Sequence, residues 1–174
     1  FLTAYTQSAA SDSGKFPVIL LRLVHSVAFS YTAPMQKYRL FDHTADVGCE
    51  IFGRTRKELF ANALAAVIDL MLEQNTGRGK GMKTKKIVVA GSDLPDLLVN
   101  FLREALYLLN GKKWVIKECR ALAVSSRHVV AGIAGEPYNP QKHSIKMEIK
   151  AVTYHGLCVD KTKSGWRARV IFDV

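Results

Sequence analysis

At Gly111 the spacing of apolar residues changes, and this change constrains the fold more than any other feature of the sequence. Before it, two segments carry apolar residues three and four positions apart: Leu59, Phe60, Ala63, Leu64, Val67, Leu70 and Met71, then Leu97, Leu98, Phe101, Leu102, Ala105, Leu106 and Leu109. Such spacing lays one apolar stripe along an α-helix. After it come consecutive strand segments, the clearest with apolar residues at alternate positions, the period of a strand with one wet face. The expected outcome is an α+β fold: two amphipathic helices packed on a largely antiparallel, mixed β-sheet in a single compact domain.

Local signals set the boundaries. Thr55-Arg-Lys-Glu58 is a capping box, so the first helix begins at Arg56. Asp93 is the N-cap of the second, with Pro95 in the first turn and Asp96 near the positive end of the dipole; Gly111 ends it in the manner usual for helix C-termini. Residues 37–41 and 48–54 read as strands around a polar loop, Asp42-His-Thr-Ala-Asp-Val-Gly48. Lys86–Ala90 reads as another. Strands over 113–124, 127–134, 143–152, 155–161 and 166–173 follow, joined by turns such as Ser125-Ser126 and Lys163-Ser-Gly165. Alternation in the last puts Trp166, Ala168, Val170 and Phe172 on one face and Arg167, Arg169, Ile171 and Asp173 on the other.

Residues 1–36 differ in composition from the rest and read as an N-terminal extension, leaving 37–174 as the folded domain, with Met35 a candidate native start. The apolar run from Phe16 to Phe29 is too short, and too interrupted by Arg22 and His25, to span a bilayer. With 48% hydrophobic residues the chain of 174 can bury one core. Its 25 Lys and Arg against 15 Asp and Glu leave a net charge of +10, which favours a polyanionic partner such as RNA or an acidic protein face; a merely solvated basic surface is the competing reading. The run Gly77–Lys86 is glycine-rich and basic but lacks the spacing of a phosphate-binding P-loop. Cys49, Cys119 and Cys158 are widely spaced and suggest neither a disulfide framework nor a zinc site, which points to a reducing compartment.

The zinc-protease, nucleophile-elbow and dinucleotide motifs are all missing. What remains is a set of acidic groups: Asp42 and Asp46 in the first loop, and Asp173 followed by Val174. Carboxylates, carbonyls and water are the ligands of hard divalent cations, so a loop Asp meeting Asp173 would form such a site; the alternative is an Asx-turn or a cap. His43 is either a ligand or base, or a turn hydrogen-bonder, while His128, His143 and His155 suggest no role. Lys150 is a surface lysine or a phosphate contact.

Four stretches in order carry a family resemblance: Asp42–Gly48, then Glu136-Pro-Tyr138 with Lys142-His143, then Glu148-Ile-Lys-Ala-Val-Thr-Tyr-His155, then Ala168-Arg-Val-Ile-Phe-Asp-Val174. Together they closely resemble the archease family, from about Tyr38 onward. The resemblance implies a protein cofactor, with no catalysis of its own, of an RtcB-type RNA ligase, the enzyme that joins RNA ends using GTP and Mn²⁺. It implies that the protein promotes ligase guanylylation and repeated turnover in tRNA splicing or RNA repair, in the cytoplasm, or also the nucleus if the source is eukaryotic. A divalent cation, Ca²⁺ first with Mg²⁺ or Mn²⁺ as alternatives, would bind Asp46, Asp173 and the main-chain carbonyl of Val174, and Lys150 would be the required lysine. RNA would be met through the ligase. The alternatives are a stand-alone basic RNA-binding protein, using the loop 77–86, and a metal-dependent hydrolase.

Overall fold

The computed structural model describes residues 36–73 and 82–174. The extension expected at 1–36, apart from its last residue, and the first half of the basic run, 77–81, lie outside the described residues. The described elements are β1 (Tyr38–His43), β2 (Asp46–Gly53), α1 (Arg56–Met71), β3 (Lys83–Ala90), α2 (Leu94–Asn110), β4 (Trp114–Val124), β5 (His128–Pro137), β6 (Ala151–Val152), β7 (Cys158–Thr162) and β8 (Gly165–Asp173).

Both helices start on reciprocal caps. Thr55 Oγ1 accepts the Glu58 amide at 3.1 Å, and Glu58 reaches back to accept the Arg54 amide at 2.9 Å. Asp93 Oδ1 accepts the Asp96 amide, and Asp96 accepts the Ser92 amide, each at 2.8 Å. These bonds satisfy amides that the first turn leaves without partners. Every residue of the two apolar stripes is buried, and so are Asn62 and Ala66 on α1 and Val99 and Leu108 on α2. The reason is that each helix touches strands of two sheets, so more than one stripe is covered. The buried Asn62 donates to the Phe52 carbonyl at 2.7 Å, and the Phe60 and Phe101 rings join the helices at a centroid distance of 5.7 Å.

The strands divide into two sheets, and every described pairing is antiparallel. One has the order β1-β2-β8-β6, with β7 also on β8; the other is β3-β5-β4. Strand β8 pairs with β2 along one edge and shares its other edge between β7 and β6. Each sheet carries one tryptophan under a cation: Trp166 beneath Arg56, with Cζ 4.8 Å from the ring centroid, and Trp114 beneath Lys85, with Nζ at 4.2 Å. Among the described residues no helix is long and apolar enough to cross a membrane.

Four local expectations change, the first being that Lys83–Lys85 of the basic run, read as loop, belong to strand β3. The loop expected over 42–48 is a tight hairpin whose turn is Thr44-Ala45, with Ala45 at φ 59°; Asp42 and Asp46 belong to strands. Gly111 stays right-handed, and the positive φ falls on Lys113; the glycine is needed for space, because a Cβ there would lie 2.7 Å from the Tyr107 ring. The strand expected over 143–152 shrinks to Ala151–Val152. Upstream, that backbone bonds to the end of α1 instead: Glu73 donates to the Ser144 carbonyl at 3.0 Å and Lys146 to the Met71 carbonyl at 2.9 Å.

Phe101→Ala should cost about 3–5 kcal/mol, the range for emptying a buried aromatic site, while Asp93→Ala should cost about 1 kcal/mol. Urea unfolding checks both, and a reversed order would contradict this account of the helix layer.

Candidate functional site

Residues directly opposite in an antiparallel ladder share a face. His43 faces Asp46, Asp46 faces Asp173, and Asp173 faces Ala151, so one row crosses four strands. It lies on the face opposite Val47 and Phe172, which pack in the core. Asp42, the other acidic candidate, faces Val47 and therefore projects from the other side; the register separates it from the pair.

His43 Nδ1 lies 3.4 Å from Asp46 Oδ2 without an aligned hydrogen bond, and its ring centroid lies 5.5 Å from that of His155. Lys150 donates its backbone amide to the Asp173 carbonyl and its Nζ to Val174 O, both at 2.8 Å. Asp46, Asp173, Val174 and Lys150, the set implied by the family resemblance, thus meet at one end of the first sheet. His155 also arrives there, although its position beside a strand suggested no role. Its signal is visible only once β1 and the 153–157 loop are brought together.

The next row inward is apolar: Phe41, Gly48 and Ile171. The Phe41 ring occupies the place of a Gly48 side chain, with a ring carbon 2.1 Å from where a Cβ would stand, so Gly48 is required by close approach. Arg169 stacks on Phe41, with Cζ 4.3 Å from the centroid. Asp46 has only His43 as an ionic neighbour, and Asp173 forms no ion pair among the described residues. Like charges directly opposite each other in a ladder are destabilising. Among the described residues no group of three or more His, Cys, Asp or Glu side chains is arranged to hold a metal. The row offers two carboxylates and a main-chain oxygen, a donor set that suits a hard cation completing its shell with water.

The loop carrying His155 is tied to α2. The Tyr154 hydroxyl donates to Asp96 Oδ1, and Arg103 lies over the Tyr154 ring at 4.9 Å. The Tyr154 hydroxyl, and then the Ser92 amide, hold the Asp96 carboxyl below its usual value; the same bond to Asp96 pushes Tyr154 up. His143 is a separate device. Its buried ring accepts the Asn139 amide on Nδ1 at 3.0 Å, which assigns the proton to Nε2, 3.1 Å from Glu136 Oε1. That ring staples the loop after β5. Burial pushes the thiol of Cys49 up to about 12 and also raises Cys119 and Cys158, so none is activated as a nucleophile.

The Archease protein family model matches residues 38–174. A Methanosarcina acetivorans protein named "Protein archease" is 35% identical over 143 residues, spanning 80% of this chain and 97% of that protein. Its Pyrococcus furiosus namesake is 31% identical over 144 residues, spanning 80% and 100%. The solution structure of Methanobacterium thermoautotrophicum protein 1598 is similar with a TM-score of 0.64 and 25% identity, over 79% of this chain and 99% of that one.

Asp173→Asn removes one of the facing charges, so in chelating buffer its thermal midpoint should equal or exceed that of the wild type; a clear fall would refute repulsion across the ladder. The Tyr154–Asp96 latch has a pH window. Asp96 is depressed when folded, so its contribution is present above the ordinary carboxylate pKa of 3.8 and is lost as pH falls through the lower folded value. Tyr154 is raised, so its contribution is present below 10.0 and is lost as pH climbs through the higher folded value. Tyr154→Phe should flatten both limbs of unfolding midpoint against pH; an unchanged profile would show that the latch contributes nothing.

Proposed function

Because the chain belongs to the archease family, we propose that it is a metal-binding protein cofactor of an RtcB-type RNA ligase, promoting ligase guanylylation and repeated turnover without catalysing a reaction itself. The observation that carries this reading is the meeting of Asp46, Asp173, Val174 O and Lys150 at one end of a sheet. Asp46, Asp173 and the Val174 carbonyl would hold the cation, with Ca²⁺ suiting an all-oxygen set and Mg²⁺ or Mn²⁺ as alternatives. The fit rests on the facing carboxylates, whose repulsion a cation would relieve. A bound cation would add positive charge where a phosphate approaches.

The chain's own residues would do the rest. Lys150 presents an ammonium beside the carboxylate pair and can meet phosphate as a point charge. The apolar row formed by Phe41, Gly48 and Ile171 lowers the local dielectric on one side and strengthens any such attraction. The ligase would supply the reacting histidine and the RNA. The excess of basic residues over the whole chain would favour approach to that polyanionic complex.

The test is multiple-turnover RNA ligation by a purified RtcB-type ligase with GTP and Mn²⁺, with wild type, Asp173→Ala, Lys150→Ala, or nothing added. Wild type should stimulate and both variants should not. No stimulation by wild type would overturn the proposal, and RNA binding without ligase that falls steeply with salt would favour the RNA-binding alternative. Independently, calcium should raise the thermal midpoint of the wild type, by about 2.7 kcal/mol of stability at a hundredfold excess over Kd, and leave Asp173→Asn unmoved.

A further inference from the structure

Strand β6 is two residues long, yet its last residue and the backbone just before it are held in place by α2. Asp96, Arg103 and Asn110 stand seven residues apart along that helix. Each interval is two turns, a rise of about 10.5 Å, with only slight angular drift, so the three share a face. Asn110 Nδ2 donates to the Ile149 carbonyl at 2.9 Å, and Arg103 donates to the Val152 carbonyl at 3.3 Å. Asp96 accepts from the Tyr154 hydroxyl, on the far side of Arg103. An extended chain covers about 10 Å from residue 149 to 152, which matches one interval of the polar row.

Lys150 lies between the two gripped carbonyls. Ile149 and Val152 are buried, but an open groove of about 290 Å³ lies between α2 and residues 150–152, lined by Arg103, Tyr107, Asn110 and Lys150 among others. Burial of Ile149 and Val152 holds this backbone on the core side, and on the groove side the two side-chain donors hold it to the helix. On the other edge the Lys150 amide bonds only to the Asp173 carbonyl. We propose that Asn110 and Arg103 are positioning residues for Lys150, fixing its backbone so that Nζ meets Val174 O beside the carboxylate pair. This rests on the reading of Lys150 as the functional lysine.

Two variants test it. Asn110→Asp keeps the shape and removes the donor; Arg103→Met keeps the stem of an exposed residue and removes its donor. Each is titrated as activator in the ligation assay beside wild type and Lys150→Ala, and thermal midpoints confirm folding. The expected result for Asn110→Asp is a maximal stimulation about fivefold lower, the scale of one lost hydrogen bond, at an unchanged half-saturating concentration. Arg103→Met should show the same pattern and decides the matter if Asn110→Asp folds poorly. Reductive methylation with mass spectrometry gives a readout that does not depend on activity: Lys150 should react severalfold faster in both variants while Lys146, also exposed, does not change. Wild-type stimulation and wild-type Lys150 reactivity in both variants would overturn this inference alone. Full stimulation by Lys150→Ala would instead remove the lysine reading on which it rests.

Discussion

The site depends on β8 having both edges bonded in one register. Ala168, Val170 and Phe172 must face the core, and the strand period is two, so a slip of one residue would bury Arg169 and Asp173 instead. Burial thereby places Asp173 opposite Asp46 with no need for attraction between them. Two like charges brought together from distant parts of the chain are an arrangement that hydrophobic packing imposes against local electrostatics. Bringing β2 to β8 also closes a long loop, and the entropy lost there is offset only when the apolar faces are covered.

Helix α2 serves two ends with different chemistry. Its leucines and Phe101 fill the space between the sheets, and its polar row meets the backbone around Lys150. A heptad interval keeps the two sets apart on the cylinder, so a change in one need not disturb the other. The first sheet shows a similar division along β8, where the face opposite the core carries Arg167 and Arg169 at one end and the acidic row at the other.

Helices, caps and the faces of β8 were legible because their causes are local: spacing, a Thr or Asp before the first turn, and strict alternation. The α+β class followed from them. The division into two sheets was not, since pairing β3 with β5 and not with β2 is a long-range choice that no short pattern records. Residues 143–150 misled because their alternation is genuine, with Ile149 buried and Lys150 exposed, while the backbone there makes a single bridge, Ile145 opposite Leu72, and no strand ladder. In the site, Asp46, Asp173, Val174 and Lys150 came from a family pattern. The register then separated Asp42 from Asp46, which a reading of the same loop could not do. His155 and Asn110 were missed for different reasons. The first has no partner until β1 and the 153–157 loop meet, whereas the second belongs to a polar row at Asp96, Arg103 and Asn110 that was visible as a spacing.

The placement of the two tryptophans has an optical consequence. One indole lies in each sheet, Trp114 almost wholly shielded and Trp166 partly open to solvent, and each has a cation over its ring. Emission from the two should therefore differ in wavelength and in accessibility to quenchers, and the sheet that carries the carboxylate row has a reporter of its own. Fluorescence of the unlabelled protein can thus follow the two sheets separately, with Trp166 on the same strand as Asp173.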